Sequence, residues 1–169
     1  MSSEGPDSTS SPASPPVVEG CYAWPDVEID PVLRMRALAA GLPHVAADEA
    51  VFDRPFERVW SFLTDFEVTT PRYEGIVGRA RILERRGERL TLETQSPLLG
   101  PWTRFDVVLR PGFCLMQSRI GQVGMAARPE GPTTTRFFHF EGSPRIGRIL
   151  RPFFAWNIRQ DFRRLRELL

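Results

Sequence analysis

The large apolar side chains change their spacing along the chain, and each change marks an element. Val32, Leu33, Met35, Leu38 and Leu42 recur at roughly helical intervals before Gly41 and Pro43, which predicts a short helix lying on the folded body. Residues 46–52 are short and β-compatible. Asp53-Arg54-Pro55 follows, and Phe56, Val59, Trp60 and Leu63 then repeat at three and four residues, so a strand feeds an amphipathic helix. Asp53 is placed to cap this helix, Pro55 suits its first turn, Glu57 favours its start and Asp65-Phe66 ends it. Val59, Trp60 and Leu63 are expected to be buried between it and a sheet. From Gly75 onward the period is two, predicting strands over residues 77–83, 89–95, 102–109, 113–120, from 121 or 122 to 127, and 133–141. Arg85-Arg86-Gly87-Glu88, Arg110-Pro111-Gly112 and Arg128-Pro129-Glu130-Gly131-Pro132 read as turns between them. Gly142-Ser143-Pro144 opens a long closing helix. Strand, helix, a run of strands and a helix give an α+β chain, a curved antiparallel sheet of about six or seven strands around a long C-terminal helix.

That helix carries the sharpest candidate chemistry. At about 100° per residue, Ile146, Leu150, Phe153, Phe154, Leu165 and Leu168 gather on one side, and Arg148, Arg159, Arg163 and Arg166 on the other. Asn157 and Asp161, one turn apart, fall on the apolar side with Arg164 beside Asp161. Two readings stand: a polar pair lining a cavity, with Arg164 holding Asp161 ionised, or an ion pair at the sheet edge with Asn157 bonded to backbone. His139 is the histidine of the predicted sheet. It is either a general acid or base or a packed residue, and because Phe137, Phe138 and Phe140 surround it, alternation does not say which face of its strand is inside. His44 reads as a loop residue. Gln117 and Arg119 share a strand face with Phe113 and Leu115, and either can reach a cavity. Tyr73 and Trp102 read as aromatics guarding a mouth or covering the core, whereas Phe105, Phe138 and Phe153 line a pocket or simply fill the interior. The catalytic candidates are thus His139, Asn157 and Asp161. The ligand-binding candidates are Tyr73, Trp102, Phe105, Gln117, Arg119, Phe138, Phe153, Asn157 and Asp161.

Composition narrows the classes of function. The 169 residues include 22 basic and 21 acidic side chains, a formal charge of +1, and no stretch basic enough to follow a phosphate backbone, which argues against nucleic acid as a partner. All the basic residues are Arg, so chemistry through a lysine imine is excluded. Residues 1–20, rich in Ser and Pro, read as a disordered tail, residues 21–44 as an extension holding the short helix, and residues 45–169 as the folded domain. Neither a basic, apolar leader nor a run of about 18 apolar residues is present, so a cytoplasmic protein without integral membrane insertion is expected. Cys21 and Cys114 read as reduced thiols, and without His-x-His, His-x-x-x-His or Cys-x-x-Cys spacing no metal and no cofactor is expected. Hydrolase elbows, phosphate-binding loops and dinucleotide fingerprints are likewise missing from the sequence.

Phe52-Asp53-Arg54-Pro55-Phe56-Glu57-Arg58-Val59-Trp60, continued by Leu63 and Asp65, resembles the first strand and Val-Trp-x-x-Leu-x-Asp helix of the helix-grip family, also called START-like or SRPBCC. Residues 78–83 with the following Arg-Gly-Glu turn, and Gln160-Asp161-Phe162-Arg163-Arg164-Leu165, look like that family's next strands and the end of its closing helix. The likeness spans about residues 45–169. It implies a cavity between sheet and closing helix that holds a hydrophobic small molecule, such as a lipid, a polyketide or an isoprenoid, in a monomer or homodimer. The family also includes polyketide cyclases and aromatases, so the resemblance equally implies an enzyme of that type acting on a ligand in the same cavity. A partner-binding role with the cavity collapsed is the third reading.

Overall fold

The computed structural model describes residues 29–97 and 100–169. The expected tail over 1–20, the extension up to residue 28 and Cys21 lie outside the described residues. Helix α1 (Pro31–Gly41) begins at Asp30, whose carboxylate accepts a hydrogen bond from the Leu33 amide at 2.9 Å. Strand β1 (Val45–Phe52), α2 (Phe56–Thr64) and the single-turn α3 (Thr70–Tyr73) follow, then β2 (Arg79–Arg86), β3 (Arg89–Gln95), β4 (Trp102–Arg110), β5 (Phe113–Gln117), β6 (Gln122–Gly131), β7 (Thr134–Gly142) and α4 (Gly147–Leu168). The strands form one antiparallel sheet in the order β1-β7-β6-β5-β4-β3-β2, in which the first strand closes onto the last. With α4 packed against β1 and β7, this is the helix-grip form of the α+β class.

Local chemistry accounts for the differences from expectation. Asp53 does not cap α2. Pro55 occupies the cap position, and its carbonyl accepts from the Arg58 and Val59 amides at 3.1 Å. Trp60 is only half-buried and stacks on Phe56 at 6.2 Å, whereas Val59 and Leu63 are fully enclosed. Strand β5 stops three residues early because the Ser118 hydroxyl accepts from the Gly121 amide at 2.8 Å and bends the chain. Strand β6 runs through Pro129, with a register shift between Pro129 and Gly131, so the turn falls later than the Arg-Pro-Glu-Gly-Pro run suggests.

The sheet is buried on both faces at β7. Its inner face carries Thr135, Phe137, His139 and Glu141 toward α2 and α4, in a core with Phe52, Leu63, Phe162 and Leu165. Its outer face carries Phe138 and Phe140, which pack with Val32, Met35, Phe113 and Ala126 beneath α1. This second core explains why aromatics occupy both faces of one strand. Gly124 permits it, since a Cβ there would lie 2.7 Å from the Met35 sulfur and inside the Phe140 ring. Around its rim, Arg36 of α1 binds Glu49 of β1 at 2.7 Å, Arg136 joins Glu49 to Glu130, and Arg128 reaches Asp30 at 3.3 Å. Arg151 and Arg166 of α4 donate to the Val45 and Val51 carbonyls of β1, satisfying acceptors on that outer strand.

Candidate functional site

A cavity of about 350 Å³ lies between the sheet and the first half of α4. Phe66 and Tyr73 from the α2–α3 region, Leu92 and Phe105 from β3 and β4, Met116, Val123 and Met125 from β5 and β6, and Leu150, Phe153 and Phe154 from α4 supply most of its wall. Ile120, Ile146 and Phe153 line it and are also solvent-exposed, which places the opening between the β5–β6 bend and the start of α4. The charged residues of the wall are Glu74 and Glu141, both almost fully buried.

Behind these two lies a polar cluster. The Asn157 amide donates to Glu141 Oε1 at 3.0 Å and to Asp161 Oδ2 at 2.9 Å. Asp161 Oδ1 accepts from the Gly75 amide and from Arg164, each at 3.1 Å, and Arg164 also reaches the Tyr73 carbonyl at 3.0 Å. Gly75 is required there, because an added Cβ would sit 2.7 Å from the Arg164 guanidinium and 3.0 Å from the Asn157 oxygen. The His139 ring stacks on Phe137, with Nδ1 3.1 Å from the Gly124 carbonyl and Nε2 3.2 Å from Glu141 Oε1. Burial pushes the Glu74 carboxyl well above the usual carboxylate range, and the charges of Asp161 and Glu141 add to that. Asp161 is pushed up to about 7 by burial and by Glu141, against the opposing His139, the Gly75 amide and Arg164. Arg164 is near enough for the expected ion pair with Asp161, at 3.1 Å, and lowers its carboxyl, but burial and Glu141 act more strongly in the other direction.

The structure distributes the sequence candidates unevenly. Tyr73, Phe105 and Phe153 line the cavity, although Tyr73 is walled into the core with its hydroxyl 3.4 Å from the Leu63 carbonyl, so it does not guard the mouth. Asn157 and Asp161 are 1% exposed and stand behind the wall, Asn157 bonded to Glu141 and Asp161 linked through Arg164 to Tyr73. His139 faces inward beside them. Trp102 is off the cavity, under the Arg81 guanidinium at 4.4 Å from its ring. Gln117 is exposed on the outer face, and Arg119 is exposed in the bend after β5, since Cys114 and Met116 take the inward positions of that strand. Phe138 belongs to the core beneath α1. Glu74 and Glu141 were not among the candidates: Glu141 sits where a strand runs out, and Glu74 follows a helix of one turn that no periodicity announces.

No protein-family model matches the chain, and no curated protein matches it. Solved structures do. A START superfamily protein from Mycobacterium smegmatis superposes with a TM-score of 0.58 at 16% identity, over 73% of this chain and 95% of that one. The Zhui aromatase/cyclase from Streptomyces sp. R1128 gives 0.56 at 12% identity, over 73% and 92%. A protein of Thermus thermophilus gives 0.55 at 19% identity, over 73% and 94%. The chain thus has the START-like fold, and at these identities the likeness speaks for the fold alone.

Proposed function

We propose that the protein binds one hydrophobic small molecule, of lipid, polyketide or isoprenoid-like character, in the cavity between sheet and α4. The observation that carries this reading is the cavity itself: about 350 Å³, within the range of small-molecule sites, apolar over most of its wall and polar at Glu74 and Glu141. The apolar part of the ligand lies against Phe105, Met116, Val123 and Phe154, and a polar group points toward the two glutamates. The protein works in the cytoplasm as a monomer or homodimer, with neither nucleic acid nor an inserted membrane segment involved. Among the described residues no helix is long and apolar enough to cross a membrane. Filling the cavity tests the idea. Titration with the uncharged apolar fluorophore N-phenyl-1-naphthylamine should give one saturable site in the native chain and at least tenfold weaker binding in Val123→Trp. Equal binding by both folded proteins would overturn the assignment.

A second reading, an enzyme of the polyketide cyclase or aromatase type, is favoured by the same glutamates, because two buried carboxyls on a mostly apolar wall are placed to exchange protons with a bound carbonyl compound. Glu141→Gln separates the two: a carrier keeps its bound molecule unchanged, whereas an enzyme from the native host accumulates an unprocessed one, readable by native mass spectrometry.

A further inference from the structure

The polar cluster at the cavity wall leaves one buried carboxyl oxygen unpaired. Glu141 Oε2 has no hydrogen-bond partner although the residue is 2% exposed. His139 is held with Nδ1 toward the Gly124 carbonyl. A carbonyl only accepts, so Nδ1 carries a proton, and Nε2 faces Glu141 Oε1 at 3.2 Å and Glu74 Oε1 at 3.7 Å. An imidazole clamped through one nitrogen to a backbone carbonyl, with the other facing carboxylates, is oriented as metal-ligating histidines are. One donor atom from each of Glu74, His139, Glu141 and Asp161 lies within 4.8 Å of the others. Bonds of roughly 2.0–2.2 Å to a tetrahedral ion set ligand atoms about 3.4 Å apart, so the set closes on an ion by an inward shift of about an ångström.

We propose that these four residues form a binding site for a single divalent transition-metal ion of the zinc, cobalt or manganese kind. One imidazole nitrogen with carboxylate oxygens suits these ions, whereas calcium takes six to eight oxygens and copper(I) prefers sulfur. The carboxylates already have the outer partners that such a centre needs, since Asn157 donates to Glu141 and Asp161, and Gly75 and Arg164 donate to Asp161. Glu74 and Glu141 border the cavity, which gives the ion an entry path and leaves one side of it open to a ligand. The spacing motifs are silent because the four donors come from the α3–β2 connection, from two alternate positions of β7, and from α4.

The proposal is independent of what else the cavity holds, because it is tested with metal alone. The untagged full chain is stripped with chelator and titrated with cobalt(II). Visible absorption bands of a low-coordinate protein site should appear and saturate at one ion per chain, and zinc should displace them. Glu141→Gln and His139→Gln should each weaken cobalt binding at least tenfold, and His44→Gln should leave it unchanged. Absence of a saturable spectrum, or equal binding by the folded Glu141→Gln and His139→Gln variants, would overturn the site. Where a variant fails to fold, the His139 Nε2 nitrogen-15 resonance of the native chain decides: it should move on adding zinc, and an unmoved resonance refutes ligation.

Discussion

Asn157 shows how one side chain can hold a buried cluster together. Its amide nitrogen serves two carboxylates at 3.0 and 2.9 Å, and the residue is 1% exposed. Asn157→Leu would keep the volume but leave Glu141 Oε1 and Asp161 Oδ2 without that donor, beside an Oε2 that already lacks one. At about 1–3 kcal/mol per stranded acceptor, we expect urea denaturation to register a loss of roughly 2–6 kcal/mol. A change below about 1 kcal/mol would mean that water or a bound ion substitutes for the amide. Helical arithmetic already put Asn157 and Asp161 on the sheet side of α4. It could not reveal their partners, because Glu74 and Glu141 are distant in sequence and become neighbours only when α4 crosses the sheet.

Among the elements, α2 was legible from spacing, and its energetics follow from depth. Leu63 is fully enclosed, whereas Trp60 is half-buried on the margin of the core. Leu63→Ala should therefore cost about 2–5 kcal/mol and Trp60→Ala less, an order that chemical denaturation of the two variants checks and that the reverse result would refute. The attachment of α1 has a pH dependence of its own. Burial pushes the Glu49 carboxyl up, but the hydrogen bonds and charges of Arg36 and Arg136 outweigh it and hold the carboxyl below the usual range. A depressed acid stabilises the fold above its unfolded value of about 4.3, and that contribution fades as pH falls through the lower folded value. Because the pair sits on the rim, with Glu49 only partly buried and Arg36 and Arg136 partly exposed, the contribution is about 1 kcal/mol or less. The melting-temperature gap between the native chain and Glu49→Gln should be largest near pH 7 and close below pH 4. A gap independent of pH would remove the ion network as its cause.

At the scale of the whole molecule, element order, strand content and fold class were readable because turn residues separate the strands and several of them carry a period-two signal. What the pattern could not give was the side of the sheet on which each strand presents its apolar residues. Phe113-Cys114-Leu115-Met116 is apolar throughout, and so is Phe137-Phe138-His139-Phe140 apart from its histidine, so alternation is erased where two cores meet through one sheet. That is why Gln117, Arg119 and Phe138 were candidates for the cavity and proved to belong elsewhere. The sheet's edges differ in chemistry: β2 bears Arg79, Arg81, Glu84, Arg85 and Arg86, charges that discourage pairing with another chain, and β1 is tied to α4 through arginines.

The double-sided β7 also sets how the protein behaves in a crowded solution. While α1 is seated, Phe113, Phe138 and Phe140 are hidden, and should it lift away, a contiguous aromatic face on the middle of the sheet would meet water. Helix α1 is thus a colloidal safeguard as much as a packing element. Met35→Asp, which sets a charge between Gly124 and Phe140, should raise light scattering with time and concentration at temperatures well below the main melting transition. A clear solution at high concentration would mean that the outer face tolerates water without its cover.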